Sequence, residues 1–71
     1  MSGTFKKIYI DASALSADEF SAFYEKIDRE AFMCSYDLKK IRCFIAYWPV
    51  SAGPLSQKVD VPDGVVLSEL L

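Results

Sequence analysis

Ser16-Ala17-Asp18-Glu19 has the form of a helix capping box, and it commits the middle of this 71-residue chain to one amphipathic helix. The Ser16 hydroxyl can accept from the amide of residue 19, while the Glu19 carboxylate reaches back to the Ser16 amide. Two of the donors that a helix start leaves unpaired are satisfied in this way. Behind that start, Phe20, Phe23, Tyr24, Ile27 and Ala31 follow the i, i+3, i+4, i+7, i+11 pattern, and Glu25, Lys26, Asp28 and Arg29 take the opposite side. The spacing predicts a helix from about Ala17 to Phe32. Asp18 and Glu19 fall in its first turn, where carboxylates interact favourably with the helix dipole.

The helix is flanked by strand-like segments. Phe5-Lys6-Lys7-Ile8-Tyr9-Ile10 is rich in β-branched and aromatic residues and ends at the polar break Asp11-Ala12-Ser13. The segment Ile41 to Trp48 fits two periods: Leu38, Ile41, Phe44, Ile45 and Trp48 keep helical spacing, while Ile41, Cys43, Ile45 and Tyr47 keep strand spacing. A strand is favoured, because the run is short, aromatic and β-branched, and Pro49 stops it. Val50 to Pro54 reads as a loop. Gln57-Lys58-Val59-Asp60-Val61 alternates as a third strand, and Pro62-Asp63-Gly64 supplies turn chemistry. Val65-Val66-Leu67 then returns as its hairpin partner, or Ser68 to Leu71 starts a frayed helical turn. The expected fold is a small single α+β domain of order β-α-β-β, with one amphipathic helix on a three- or four-stranded, mostly antiparallel sheet.

Val59-Asp60-Val61-Pro62-Asp63-Gly64, followed by Leu67 and Glu69-Leu70, resembles the strand-to-helix junction of ubiquitin-like β-grasp domains. The likeness covers some 13 residues. The main helix and further strands of that fold do not follow, and there is no C-terminal Gly-Gly, so the resemblance implies no function here.

A chain of this size buries only about 60% of the surface it exposes when unfolded, and small domains usually compensate with a disulfide, a metal or a partner. Cys34 and Cys43 belong to no Cys-x-x-Cys pair or Cys/His cluster, so two buried, reduced thiols acting as small apolar residues are expected. That fits a reducing compartment. No secretory leader is read at the N-terminus, and the longest near-apolar run, Cys43 to Val50, falls far below the ~20 residues of a membrane span. A cytoplasmic protein with no membrane partner is the expectation. The net charge of −2 offers no electrostatic case for duplex DNA.

The equipment for chemistry is sparse. There is no histidine, which removes the commonest general base and the usual metal ligand. A nucleophilic thiol needs a base or a helix N-terminus beside it, and neither cysteine has one in sequence. Tyr36 and Lys40 have the Tyr-x-x-x-Lys spacing of short-chain dehydrogenases, without the glycine-rich loop that would give it meaning. The glycines at 3, 53 and 64 are isolated, so no phosphate loop forms. The reading is no enzyme, no cofactor, no metal and no small-molecule substrate.

What remains is apolar surface: eight of the ten aromatic residues lie between Phe20 and Trp48. Strand alternation sends Ile8 and Ile10 to one face and Phe5, Lys7 and Tyr9 to the other. It separates Ile41, Cys43, Ile45 and Tyr47 from Arg42, Phe44, Ala46 and Trp48. With the isoleucine faces on the helix, Phe5, Lys7, Tyr9, Arg42, Phe44 and Trp48 form the far face. That face is covered by residues 32 to 38 or by the C-terminal tail, or it meets a protein partner or a second copy, or its aromatics stack on single-stranded nucleic acid. The last is disfavoured by the negative charge. A weaker docking site is the acidic helix face of Asp18, Glu25 and Asp28, against a basic groove. The functional expectation is a small protein-interaction module that docks on, and inhibits or adapts, a larger protein, in the format of a phage or mobile-element accessory protein. The alternative is a homodimeric regulatory or single-stranded nucleic-acid-binding protein.

Overall fold

A computed structural model describes residues 5 to 70. The elements are β1 (Phe5–Asp11), α1 (Ala17–Glu30), β2 (Met33–Tyr36), β3 (Cys43–Pro49), a single 3-10 turn (Val50–Ala52), α2 (Leu55–Lys58) and β4 (Val66–Leu70). All three strand pairings are antiparallel, and the sheet order is β2-β3-β1-β4. The fold is α+β, with α1 laid on one face of a four-stranded sheet.

The helix begins where the sequence places it. Ser16 caps α1, with its Oγ accepting from the Glu19 amide at 3.2 Å and the Glu19 carboxylate accepting from the Ser16 amide at 3.0 Å. These two bonds favour the ionised carboxylate, and the Glu19 carboxyl titrates below its ordinary value, the backbone bond being the larger cause. At the other end α1 stops two residues short of the expected Phe32. The Ala31 amide closes the last turn on the Ile27 carbonyl, and the Phe32 amide is already donating to the Tyr47 carbonyl at 2.8 Å. Joining the sheet competes with helix propagation at that point, and the sheet wins.

The pairing of β1 with β3 sets Ile8 opposite Ala46 and Ile10 opposite Phe44. Directly opposed residues share a face, so Phe44, Ala46 and Trp48 lie with Ile8 and Ile10 against the helix. With Phe23, Ile27, Ala12, Leu15, Leu55 and Val59 they make one continuous core. The placement of Phe44 and Trp48 on the far face is therefore corrected: both are fully buried. Alternation divides each strand into two sets of side chains but does not say which set of one strand pairs with which of the next. Burial of a phenylalanine and a tryptophan decides it here. The indole nitrogen of Trp48 donates to the Gly53 carbonyl at 2.8 Å, so the largest side chain enters the core with its one donor satisfied. Tyr47, on the other set, is half-buried.

Three further expectations are revised. Gln57 to Val61 is not a strand: Pro54 fixes φ at −63° at the start of a single helical turn, and Leu55 and Val59, four residues apart, are both buried. The β-grasp-like junction is absent with it, because residues 59 to 65 run as coil into β4. The Pro62-Asp63-Gly64 turn does form, with Gly64 at φ +92° and the Val65 amide on the Pro62 carbonyl. It delivers β4 to the edge of β1 rather than to a hairpin partner. Val66 to Leu70 is strand, not a frayed helical turn; Leu71, and the N-terminal residues on which the leader reading rested, lie outside the described residues.

Candidate functional site: the open sheet face

β2 and β4 occupy the two edges of the sheet, so the segments expected to cover the far face extend it instead. Among the described residues, only the connection from Asp37 to Arg42 reaches over it, at one corner. Phe5, Lys7 and Tyr9 of β1 lie on this face as the alternation predicts, beside Ile45 and Tyr47 of β3. Met33 and Ser35 come from β2, and Val66, Ser68 and Leu70 from β4. Phe5, Met33, Val66 and Leu70 are all exposed. Phe5 packs against Phe32 with ring centroids 4.5 Å apart and planes tilted by 32°, so an aromatic pair marks the rim.

Lys7 is the cation near the middle of the face. Its Nζ lies 5.7 Å from the centre of the Tyr47 ring, directly across the β1–β3 pair. No carboxylate of the described residues pairs with it, whereas Lys6, one residue earlier on the helix side, pairs with Glu69 at 3.1 Å. Arg42 is not on a strand. It sits just before β3 in the left-handed region at φ +55°, half-buried, with its carbonyl accepting from the Ala12 amide at 3.0 Å. It closes the corner instead of lining the face. The expected constellation is thus split: Phe5, Lys7 and Tyr9 are brought together, and Phe44, Trp48 and Arg42 are withdrawn.

At the covered corner, the Tyr9 hydroxyl donates to Asp37 Oδ2 at 2.6 Å, and Asp37 Oδ1 accepts from the Lys39 amide at 2.9 Å. The Tyr9 bond is the largest cause of both shifts, holding the Asp37 carboxyl below its ordinary range and pushing the Tyr9 phenol above 10. Cys43 lies beneath this latch, buried, with its thiol pushed up by burial. Cys34 pairs opposite Ala46 and so faces the helix, while Cys43 opposes Asp11 on the outer face. Opposite faces of one sheet cannot be joined by a disulfide.

On the other side of the molecule, Asp18, Glu25 and Asp28 are exposed, and Glu25 has Arg29 one turn on at 3.9 Å. They form a solvated charged surface. A depression of about 260 Å³ lies between β1, β4 and α2, lined by Ile8, Leu55 and Leu67 with the Lys6–Glu69 pair at its side. Ser56 and Ser68 also line it, while the Lys6 ammonium is taken up by Glu69. No group of three metal-ligating side chains occurs among the described residues, and no helix among them is long and apolar enough to cross a membrane. Comparison with protein families, with curated proteins and with solved structures finds no significant match.

Sequence reasoning missed Ile45 and Tyr47 of β3 on this face, together with the edge residues Met33 and Ser35 of β2 and Val66, Ser68 and Leu70 of β4. The first two carry a usable signal. If Trp48 must be buried, alternation alone places Tyr47 and Ile45 outside.

Proposed function

We propose that this chain is a non-enzymatic interaction module that docks on a larger protein through its open sheet face, with Phe5, Lys7, Tyr9, Ile45 and Tyr47 at the contact. The observation that carries the reading is the apolar and aromatic surface left on a four-stranded sheet whose other face carries the core. Such patches mark interaction sites more often than they persist on monomers, and tyrosine is among the residues that anchor interfaces.

Lys7 favours a different protein over a second copy as the partner. A two-fold axis through the middle of the face would bring the two Lys7 ammonium groups near one another, and like charges juxtaposed in an interface are costly. A partner presenting a carboxylate there would neutralise the cation. The free thiols on opposite faces of the sheet fit a reducing, cytoplasmic setting. The homodimer is the alternative reading, and it uses the same face.

The test is affinity capture from the native cells with the wild-type chain, Tyr47→Asp and Asp28→Asn. A protein retained by wild type and Asp28→Asn and lost with Tyr47→Asp supports the sheet face. Loss with Asp28→Asn alone moves the site to the helix. Light scattering of the purified chain separates the readings, since a dimer abolished by Tyr47→Asp would replace the larger partner with a second copy.

A further inference from the structure

The turn between β2 and β3 carries the sequence Asp37-Leu38-Lys39-Lys40-Ile41-Arg42, and Leu38 and Ile41 are 96% and 65% exposed. Leu38 is the most exposed large apolar side chain of the described residues, and Ile41 is as exposed as Phe32. Exposure of this kind on a mobile loop would mean little, but this turn is pinned at both legs. The Asp37 amide donates to the Cys43 carbonyl at 2.9 Å, the Ala12 amide donates to the Arg42 carbonyl at 3.0 Å, and Tyr9 holds the Asp37 carboxylate from below. The Asp37 carboxylate also takes the Lys39 amide, as an Asx turn does. The aliphatic side chains are held out at the tip by built structure.

Charge is distributed to match. The tip carries three cations and one carboxylate, a net +2, in a chain of net charge −2, so the remaining residues carry −4. Asp37, the one acid, is turned inward onto Tyr9. Lys39 and Lys40 are exposed and Arg42 is half-buried.

We propose that this tip is a peripheral membrane contact: Leu38 and Ile41 enter the acyl boundary of an anionic bilayer while Lys39, Lys40 and Arg42 meet its head groups. A surface contact of this kind needs no spanning segment, only exposed apolar side chains with cations at head-group level. Leucine is under-represented among the residues that anchor protein interfaces, and the tip has no aromatic ring to stack on a nucleic-acid base. The proposal is independent of the open sheet face, and the two can fail separately.

Sedimentation of the full chain with vesicles tests it. Binding is expected to vesicles of phosphatidylcholine with 30% phosphatidylserine and not to phosphatidylcholine alone, and it should weaken as salt is raised. Lys39→Ala and Lys40→Ala should each lower the partition coefficient roughly fivefold, the equivalent of about 1 kcal/mol per cation near the surface. Leu38→Ser with Ile41→Ser should abolish binding, with an unchanged circular dichroism spectrum because both side chains are exposed. No sedimentation with the anionic vesicles overturns the proposal, as does undiminished binding of the double serine variant. Equal binding of wild type and the serine variant to an oligothymidylate would assign the cations to a soluble polyanion and also overturn it.

Discussion

The Tyr9 hydroxyl and the Asp37 carboxylate meet at 2.6 Å across the corner of the sheet, joining the centre of β1 to the start of the β2–β3 turn. The bond is made by a protonated phenol and an ionised carboxylate, and each group holds the other in that state. The Tyr9 phenol is raised above 10, so its contribution to stability is complete below pH 10 and is lost as the pH rises beyond it. The Asp37 carboxyl is lowered, so its contribution is present above about pH 4 and is lost as the pH falls through the folded value. Tyr9→Phe is expected to flatten the decline of melting temperature above pH 10, as followed by circular dichroism. A wild-type curve no steeper than the variant's would show that the bond carries no stability.

The strand register makes a ranking that urea unfolding can check. Phe44→Ala and Trp48→Ala each remove a fully buried ring and should cost about 3–5 kcal/mol. Against a total of about 4–11 kcal/mol for a chain of this size, either loss removes a large share of the stability and would unfold the domain in water only at the lower end of that range. Ile45→Ser, half-buried on the open face, should cost about 1 kcal/mol, near the centre of the distribution for point variants and well below the two ring deletions. The reverse order would place the isoleucine set, not the phenylalanine set, against the helix.

Two local devices have separable costs. Ser16→Ala removes the cap on α1 and should destabilise by about 1 kcal/mol. Gly64→Ala should cost more than about 1 kcal/mol, because Gly64 has φ +92° and an added Cβ would stand 3.1 Å from the Ala14 Cβ. Thermal melts of the two variants, with wild type alongside, decide both values.

The thiols should be slow. Burial, the larger cause, raises Cys34 to about 11, and Cys43 is raised and buried, so neither presents much thiolate at pH 8. A disulfide-exchange reagent is expected to label both only as the protein unfolds, with a single rate. Rapid labelling of one cysteine in the native protein would mean that the half-buried Cys34 opens on its own.

How much of this was readable in advance differs by element. The start of α1 is a local device, written in four adjacent residues, and β1 is a run of strand formers with a polar stop; both are legible because their causes are close in sequence. β2 is four residues whose pairing with β3 is a tertiary event, and nothing in Met33-Cys34-Ser35-Tyr36 announces it. The alternation at Gln57 to Val61 misleads because Val59, inside it, pairs with Leu55, four residues earlier and outside it, and the two reach the core across one helical turn. The candidate site was half legible for the same reason. Phe5, Lys7 and Tyr9 follow from one strand, whereas the exclusion of Phe44 and Trp48 follows from how two strands are set against each other. The tip at Leu38 and Ile41 has a local signal, an Asp followed two residues later by the amide it accepts, obscured by the helical spacing of the same apolar residues.

Trp48 is the chain's sole tryptophan, and it is sealed between sheet and helix with its indole nitrogen bonded to Gly53. Its fluorescence will report the integrity of the interior and little else. A partner seated on Tyr47, or a lipid surface at Leu38, would leave that emission nearly constant. A flat tryptophan titration is thus compatible with tight binding, and a tyrosine-directed or extrinsic probe is the appropriate reporter for this molecule.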